Sequence, residues 1–229
     1  MTHRARSLLF YATFILLGCV GIVYGNAIRA AQPDLRVWEW TTAAWLLIGL
    51  PFILLQGKAG LPEAWDTRHS ARDRLLWPLL IGMLFGAADL IIIEHLLPHL
   101  PHTRLPPYTQ PFPYSLFLYG SGGFEVEVFY RLIPITLAMW GLGYCTDNRH
   151  RDAGFFVVAI LTSLVEPLEQ WPSGPTWFVS YALLSGFAMN LLQAFLLRRH
   201  GFSATVSTRM GHYMVWHILN GVLIEYTLP

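Results

Sequence analysis

Charge is scarce in this chain: Asp, Glu, Lys and Arg make up 13% of its 229 residues, about half the roughly 25% of an average soluble domain. That deficit excludes an ordinary water-soluble enzyme of this size. Lysine is almost missing, and the one present, Lys58, stands in a loop between apolar runs. A retinal-type receptor, which needs an intramembrane lysine for its Schiff base, is therefore excluded. No His-Glu-x-x-His stretch occurs, which removes a zincin-type protease. Neither Tyr119-Gly120-Ser121-Gly122 nor Leu183-Leu184-Ser185-Gly186 supplies the Gly-x-Ser-Gly nucleophile of a rhomboid-like serine protease. The two cysteines, Cys19 and Cys145, form no metal-ligand or disulfide pattern. A net charge of +1 offers no nucleic-acid surface, and there is no internal repeat or low-complexity tract.

What is present is apolar. Hydrophobic residues make up 54% of the chain and the mean hydropathy is +0.44; 14 Phe, 10 Tyr and 9 Trp exclude intrinsic disorder. Apolar runs of about 20 residues, enough to cross a bilayer as helix, recur along the sequence. They predict an all-α polytopic membrane protein, one domain over 1–229, with spans near 7–28, 38–56, 75–97, 115–143, 152–170, 175–197 and 203–225. The first span is too long for a signal-peptide core and lacks a clear cleavage site, so it reads as a retained anchor. Arg4, Arg6, Lys58, Arg68, Arg72, Arg74, Arg149, Arg151, Arg198 and Arg199 fall on one side, and only Arg29, Arg36 and Arg104 on the other. Loop arginines and lysines stay cytoplasmic, so the N-terminus is expected inside and the C-terminus outside. The segment from Glu63 to Arg74 suits a short interfacial helix whose basic side meets anionic lipid. Proline-rich 98–113 reads as an external loop.

Ionisable residues inside spans are costly and mark a function, a buried pair or a polar cavity. Here they are Asp89 and Glu94 in the third span, Glu125, Glu127 and Arg131 in the fourth, Glu166 and Glu169 in the fifth, and Arg209, His212 and His217 in the seventh. At 1.5 Å per residue, Glu127, Glu166 and His217 fall in one layer roughly 21 to 24 Å from the cytoplasmic boundary. Glu127 and Arg131, four residues apart, suggest an intrahelical ion pair. Two histidines with acidic partners on other helices suggest zinc ligands, since imidazole and carboxylate are usual zinc donors. Glu166-Pro167 is expected to kink its helix and free a carbonyl. The Gly120-Ser121-Gly122-Gly123 run suggests close helix packing, or else a hinge or oxyanion loop. Asp89 and Glu94 have no evident partner, and Glu94-His95 reads as the approach to the outer interface.

From Glu125 onwards the order of these features resembles the CPBP family, the CAAX-processing and bacteriocin-processing membrane proteases also called the abortive-infection family. Glu127-Val128-Phe129-Tyr130-Arg131 is similar to the second half of its Glu-Glu-x-x-x-Arg motif. The stretch 161–170 sits where its Phe-x-x-x-His motif belongs, and Gly186 through Arg198, Arg199, Gly201 and Phe202 to His212 resembles its later helix pair. The sequence departs from the family at Val126, where the first Glu stands, at Glu166 and Gln170, which replace Phe and His, and at Trp216, which replaces Asn or Asp. The resemblance covers about 115–225 and implies intramembrane hydrolysis of peptide bonds in membrane-associated substrates, in a bacterial plasma membrane. It implies Glu127 as the base, Arg131 or Arg209 as the orienting charge, and Glu166, His212 and His217 as ligands of a zinc ion. Two other roles fit the same residues: a catalytically inactive scaffold, and a small proton-coupled transporter.

Overall fold

The structure is a computed structural model that describes residues 2–32, 34–66, 68–98, 101–145 and 148–228. Among these residues the chain is all-helical, with seven helices and no strand. They are α1 (His3–Ile28), α2 (Trp40–Leu55), α3 (Arg72–Leu96), α4 (Tyr114–Tyr144), α5 (Asn148–Glu169), α6 (Thr176–His200) and α7 (202–227). Four of them, α1, α3, α4 and α6, are long and apolar enough to cross a membrane. Leu84 on α3 and Leu184 on α6 are 69% and 68% exposed. Side chains of that kind, turned outward from the bundle, are what a hydrocarbon surrounding requires.

Successive helices run in opposite directions, and the connections collect at two ends. At one end Trp65 N donates to Ser7 Oγ at 3.0 Å, Arg151 donates to the Ala59 carbonyl, and Arg198 pairs with Asp152. At the other, Arg36 N donates to Gln110 Oε1 at 2.9 Å and Phe112 N to Glu225 Oε2 at 3.3 Å. The segment expected to form an interfacial helix at Glu63–Arg74 is irregular up to Ser70, Thr67 lying outside the described residues. Asp66 there folds back to accept from Arg68 N at 2.9 Å. Ser70 Oγ then caps Asp73 N at 3.1 Å and starts α3, as a Ser at a helix N-terminus does. Regular helix therefore begins only at the end of the expected stretch. Of the expected external loop, His99 and Leu100 lie outside the described residues.

Glycine decides where the helices touch. On α3, a Cβ added to Gly82 would lie 1.9 Å from the Thr208 carbonyl oxygen, and one on Gly86 would lie 2.7 Å from that of His212. Reciprocally, a Cβ on Gly211 of α7 would lie 2.0 Å from the Leu79 carbonyl oxygen. Backbone meets backbone here, as small-residue motifs allow between membrane helices. The Gly120–Gly123 run packs against side chains instead: a Cβ on Gly120 would meet the Leu17 side chain at 2.8 Å and one on Gly123 the Met210 side chain at 2.6 Å. Packing is thus its visible use. Gly201, at φ +86°, turns α6 into α7 in a conformation that excludes a side chain.

Candidate functional site

Three local features of the chain build the polar centre. First, α4 makes a π-turn at Val128–Leu132. Its i→i+5 bonding adds a residue to the turn, so residues four apart no longer stack one above the other. The ion pair that Arg131 makes is accordingly with another helix: its Nη2 lies 3.7 Å from Glu166 Oε2, in place of the expected intrahelical pair with Glu127. Second, Pro167 within α5 has no N–H to give the Ser163 carbonyl, and Asn190 Nδ2 of α6 donates to that oxygen at 3.3 Å. The proline thereby draws Asn190 to the centre. Third, the glycine contact between α3 and α7 carries Asp89, one turn beyond Gly86, up to His212.

Arg209 is the hub. Its Nε donates to Glu127 Oε1 at 3.0 Å, its Nη1 to Glu166 Oε1 at 3.0 Å and its Nη2 to Glu166 Oε2 at 2.7 Å. The same Nη2 reaches Asn190 Oδ1 at 3.0 Å and Gln193 Oε1 at 3.3 Å. Gln193 Nε2 donates in turn to Glu127 Oε1 at 2.7 Å. Glu127 and Arg131 are wholly buried, with Arg209 and Glu166 nearly so. Two carboxylates face two guanidiniums, so the formal charges cancel, which is the condition for burying them, while Glu127 Oε2 and Arg131 Nε and Nη2 make no hydrogen bond among the described residues. Glu127 is not among the residues lining the two cavities beside it.

A cavity of about 250 Å³ lies against this network, walled in part by Asp89, Glu166, Tyr181, Arg209, His212 and His217. His212 Nε2 is 2.7 Å from Asp89 Oδ2, and Tyr181 donates to Asp89 Oδ1 at 2.7 Å. The other imidazole nitrogen, His212 Nδ1, has no hydrogen-bond partner among the described residues. A carboxylate on one ring nitrogen fixes the ring and its tautomer, and leaves the other nitrogen to accept a proton. Of the residues singled out in the sequence, Glu127, Arg131, Glu166 and Arg209 come together in one network and His212 lies beside it. His217 lines the same cavity with its ring centre 6.3 Å from that of His212, its Nδ1 2.6 Å from the Tyr108 carbonyl oxygen and its ring stacked on Tyr119 at 4.3 Å.

The zinc donor set expected at Glu166, His212 and His217 is not assembled by this arrangement. Both Glu166 oxygens are taken by Arg209, His212 Nε2 is held by Asp89, and His217 Nδ1 by the Tyr108 carbonyl. Among the described residues no three His, Cys, Asp or Glu side chains are grouped as metal ligands. Zinc would have to displace a guanidinium from Glu166, so no step below is routed through a metal. Comparison of the chain with protein-family models, curated proteins and solved structures finds no match.

Sequence reasoning missed Asp89 as a partner of His212, and it missed Asn190 and Gln193 altogether. The signal for Asp89 was Gly82-Met83-Leu84-Phe85-Gly86, a Gly-x-x-x-Gly face that continues into Asp89. Glu94 also has partners: His102 Nε2 at 3.1 Å, Tyr108 Oη at 3.3 Å and Asn220 Nδ2 at 3.2 Å. These tie the end of α3 to the following loop and to α7.

Proposed function

We propose that the chain is an intramembrane hydrolase of the CPBP-like type, acting on an amide bond of a membrane-associated peptide, with His212 as the base. The observation that carries this reading is the Asp89–His212 pair, bonded at 2.7 Å on the wall of a cavity inside the helical bundle. Asp89, held in turn by Tyr181, orients the imidazole; Nδ1 is enclosed in this structure, so a helix shift on substrate entry admits the water whose proton it accepts. The resulting hydroxide adds to the scissile carbonyl carbon, and the carbonyl π electrons move onto oxygen. Arg209 has one N–H on Nη1 beyond its bond to Glu166, and it lines the cavity; that donor faces the oxyanion. His212 then returns its proton to the amine as the C–N bond breaks. Glu127 and Glu166 position Arg209, and Arg131 pairs with Glu166.

The chain sits with its N-terminus and the arginine-rich connections on the cytoplasmic side of a bacterial plasma membrane, a reading that rests on the distribution of basic residues. Substrate enters from the bilayer between α3 and α6, where Phe85 and Ile93 face Phe178 across the cavity. The inactive-scaffold reading draws on the charge-neutral network, which buries Glu127 away from both cavities.

The test uses full-length protein in nanodiscs with a panel of internally quenched peptides, some carrying an isoprenylated cysteine to hold them at the membrane. Cleavage is expected in the parent, reduced 10²- to 10⁴-fold in His212→Ala, as for loss of a general base. Asp89→Asn is expected to lower the rate and displace its pH profile, a signature that loss of packing alone does not give. Cleavage that survives intact in His212→Ala would refute the assignment of the base. No cleavage by any of the proteins across the panel would favour the scaffold.

A further inference from the structure

A second cavity, of about 480 Å³, lies across a wall that it shares with the first at Gln170, Tyr213 and His217. It is lined by two opposite charges that no side chain neutralises. Arg36, between α1 and α2, donates from Nη2 to Tyr119 Oη at 3.1 Å, and its guanidinium stands 5.7 Å from the Tyr119 ring centre. No carboxylate lies within ion-pair distance of it among the described residues. Glu125, half-buried on α4, accepts no hydrogen bond and joins no ion pair among the same residues. Tyr119, which holds Arg36, and Glu125 are six residues apart on α4, about 9 Å along the helix axis. That separation explains why the two charges do not satisfy each other.

An uncompensated carboxylate inside a membrane helix is expensive and needs a cation beside it. Here the space next to Glu125 is walled by Trp38 and Tyr213, whose ring faces attract cations. The Arg36 guanidinium, exposed to solvent and without a carboxylate partner among the described residues, can take an anion from the cavity that it lines. We propose that this cavity binds a zwitterion, its anionic group on Arg36 and its ammonium group on Glu125 against the aromatic wall. An anion alone would leave Glu125 bare, and a cation alone would forgo the Arg36 contact. The volume is that of a small-molecule site. Such a ligand has two sources, the headgroup of a zwitterionic phospholipid or a free zwitterion. The proposal does not depend on hydrolysis.

The experiment titrates the full-length protein in nonionic detergent, following Trp fluorescence and heat, with four probes. They are dihexanoylphosphatidylethanolamine, its soluble headgroup glycerophosphoethanolamine, glycerol phosphate as anion alone, and ethanolamine as cation alone. Both zwitterions are expected to bind at least about 10-fold more tightly than either single-charge probe, a factor worth about 1.4 kcal/mol. Glu125→Gln is expected to remove that advantage while leaving glycerol phosphate unchanged, and Arg36→Gln to do the reverse with ethanolamine. Tighter binding of the lipid than of its headgroup supports the lipid source, and equal binding supports the soluble one. The idea is overturned if the parent protein binds glycerol phosphate or ethanolamine as well as it binds the zwitterions, or binds neither zwitterion. Because that comparison uses the parent alone, it holds whether or not the variants fold.

Discussion

Replacing Gly211 by Ala tests the contact on which the proposed reaction centre depends. The new Cβ would sit 2.0 Å from the Leu79 carbonyl oxygen and 2.9 Å from Met83 N. Both are backbone atoms, so no rotamer change relieves the clash. To restore an ordinary contact distance, α3 and α7 must part by about 1.5 Å. The Asp89–His212 hydrogen bond spans the same pair of helices at 2.7 Å; opened by that amount it exceeds 4 Å or so and is no longer a bond. Overpacking of this kind costs about 1 to 3 kcal/mol, which in a chain of this size lowers the unfolding temperature by roughly 2 to 4 °C per kcal/mol. Gly141 on α4 is the control, since a Cβ there meets nothing within 4 Å. Gly141→Ala is expected to leave the unfolding temperature unchanged or slightly raised, Ala being the better helix former. The assay is thermal unfolding in detergent, paired with the cleavage panel. If Gly211→Ala and Gly141→Ala melt alike and cleave alike, the backbone contact between α3 and α7 is not as described.

Two further outcomes follow from the buried charges and the connection between α2 and α3. Glu166→Gln leaves Arg131 and Arg209 facing only Glu127, and breaking a buried pair in this way costs about 3 to 5 kcal/mol. Adding Arg131→Met should recover part of that loss, by about 1 to 3 kcal/mol of coupling; strictly additive losses in denaturant unfolding would show that the two side chains do not interact. In the connection between α2 and α3, the Arg68 guanidinium holds the Asp66 carboxyl down at about 2, against an ordinary value near 4. A carboxyl lowered by folding stabilises above its unfolded value and loses that contribution as pH falls through the folded one. Between about pH 4 and pH 2 the parent should therefore lose stability that Arg68→Gln has already lost. Superimposable melting-temperature profiles over that window would contradict the pairing.

The helices were legible because an apolar run of about 20 residues has few alternatives in structure. The gathering of Glu127, Arg131, Glu166 and Arg209 was half legible: intramembrane charges must find one another, but which pairs form depends on helix rotation. The π-turn at Val128–Leu132 illustrates this, because no residue in that stretch announces it and it redirects Arg131 from its own helix to α5. Glu166-Pro167 was read as a step that frees a carbonyl, and the group that takes that carbonyl, Asn190, lies 23 positions beyond Pro167. Such long-range partners follow from packing and not from spacing. His217 was placed with the carboxylates by depth alone. Depth fixes height within the bundle but not direction, and its imidazole turns to the Tyr108 carbonyl and the Tyr119 ring.

The division of the interior into two polar groups bears on where the proposed chemistry would sit. In the four-membered network every charge is cancelled within hydrogen-bond or ion-pair distance, so adding or removing a proton there would leave a buried net charge. That penalty makes Glu127 and Glu166 poor partners for a proton during turnover. The Asp89–His212 pair is different. With imidazolium it is an ion pair of no net charge, and with neutral imidazole it carries one negative charge, stabilised by the hydroxyl of Tyr181 at 2.7 Å. Both states keep the Nε2 bond to Asp89, and the pair lies on the wall of a cavity large enough for water. We therefore assign the proposed base to His212, and the glutamates that the sequence first brings to notice hold Arg209 beside it.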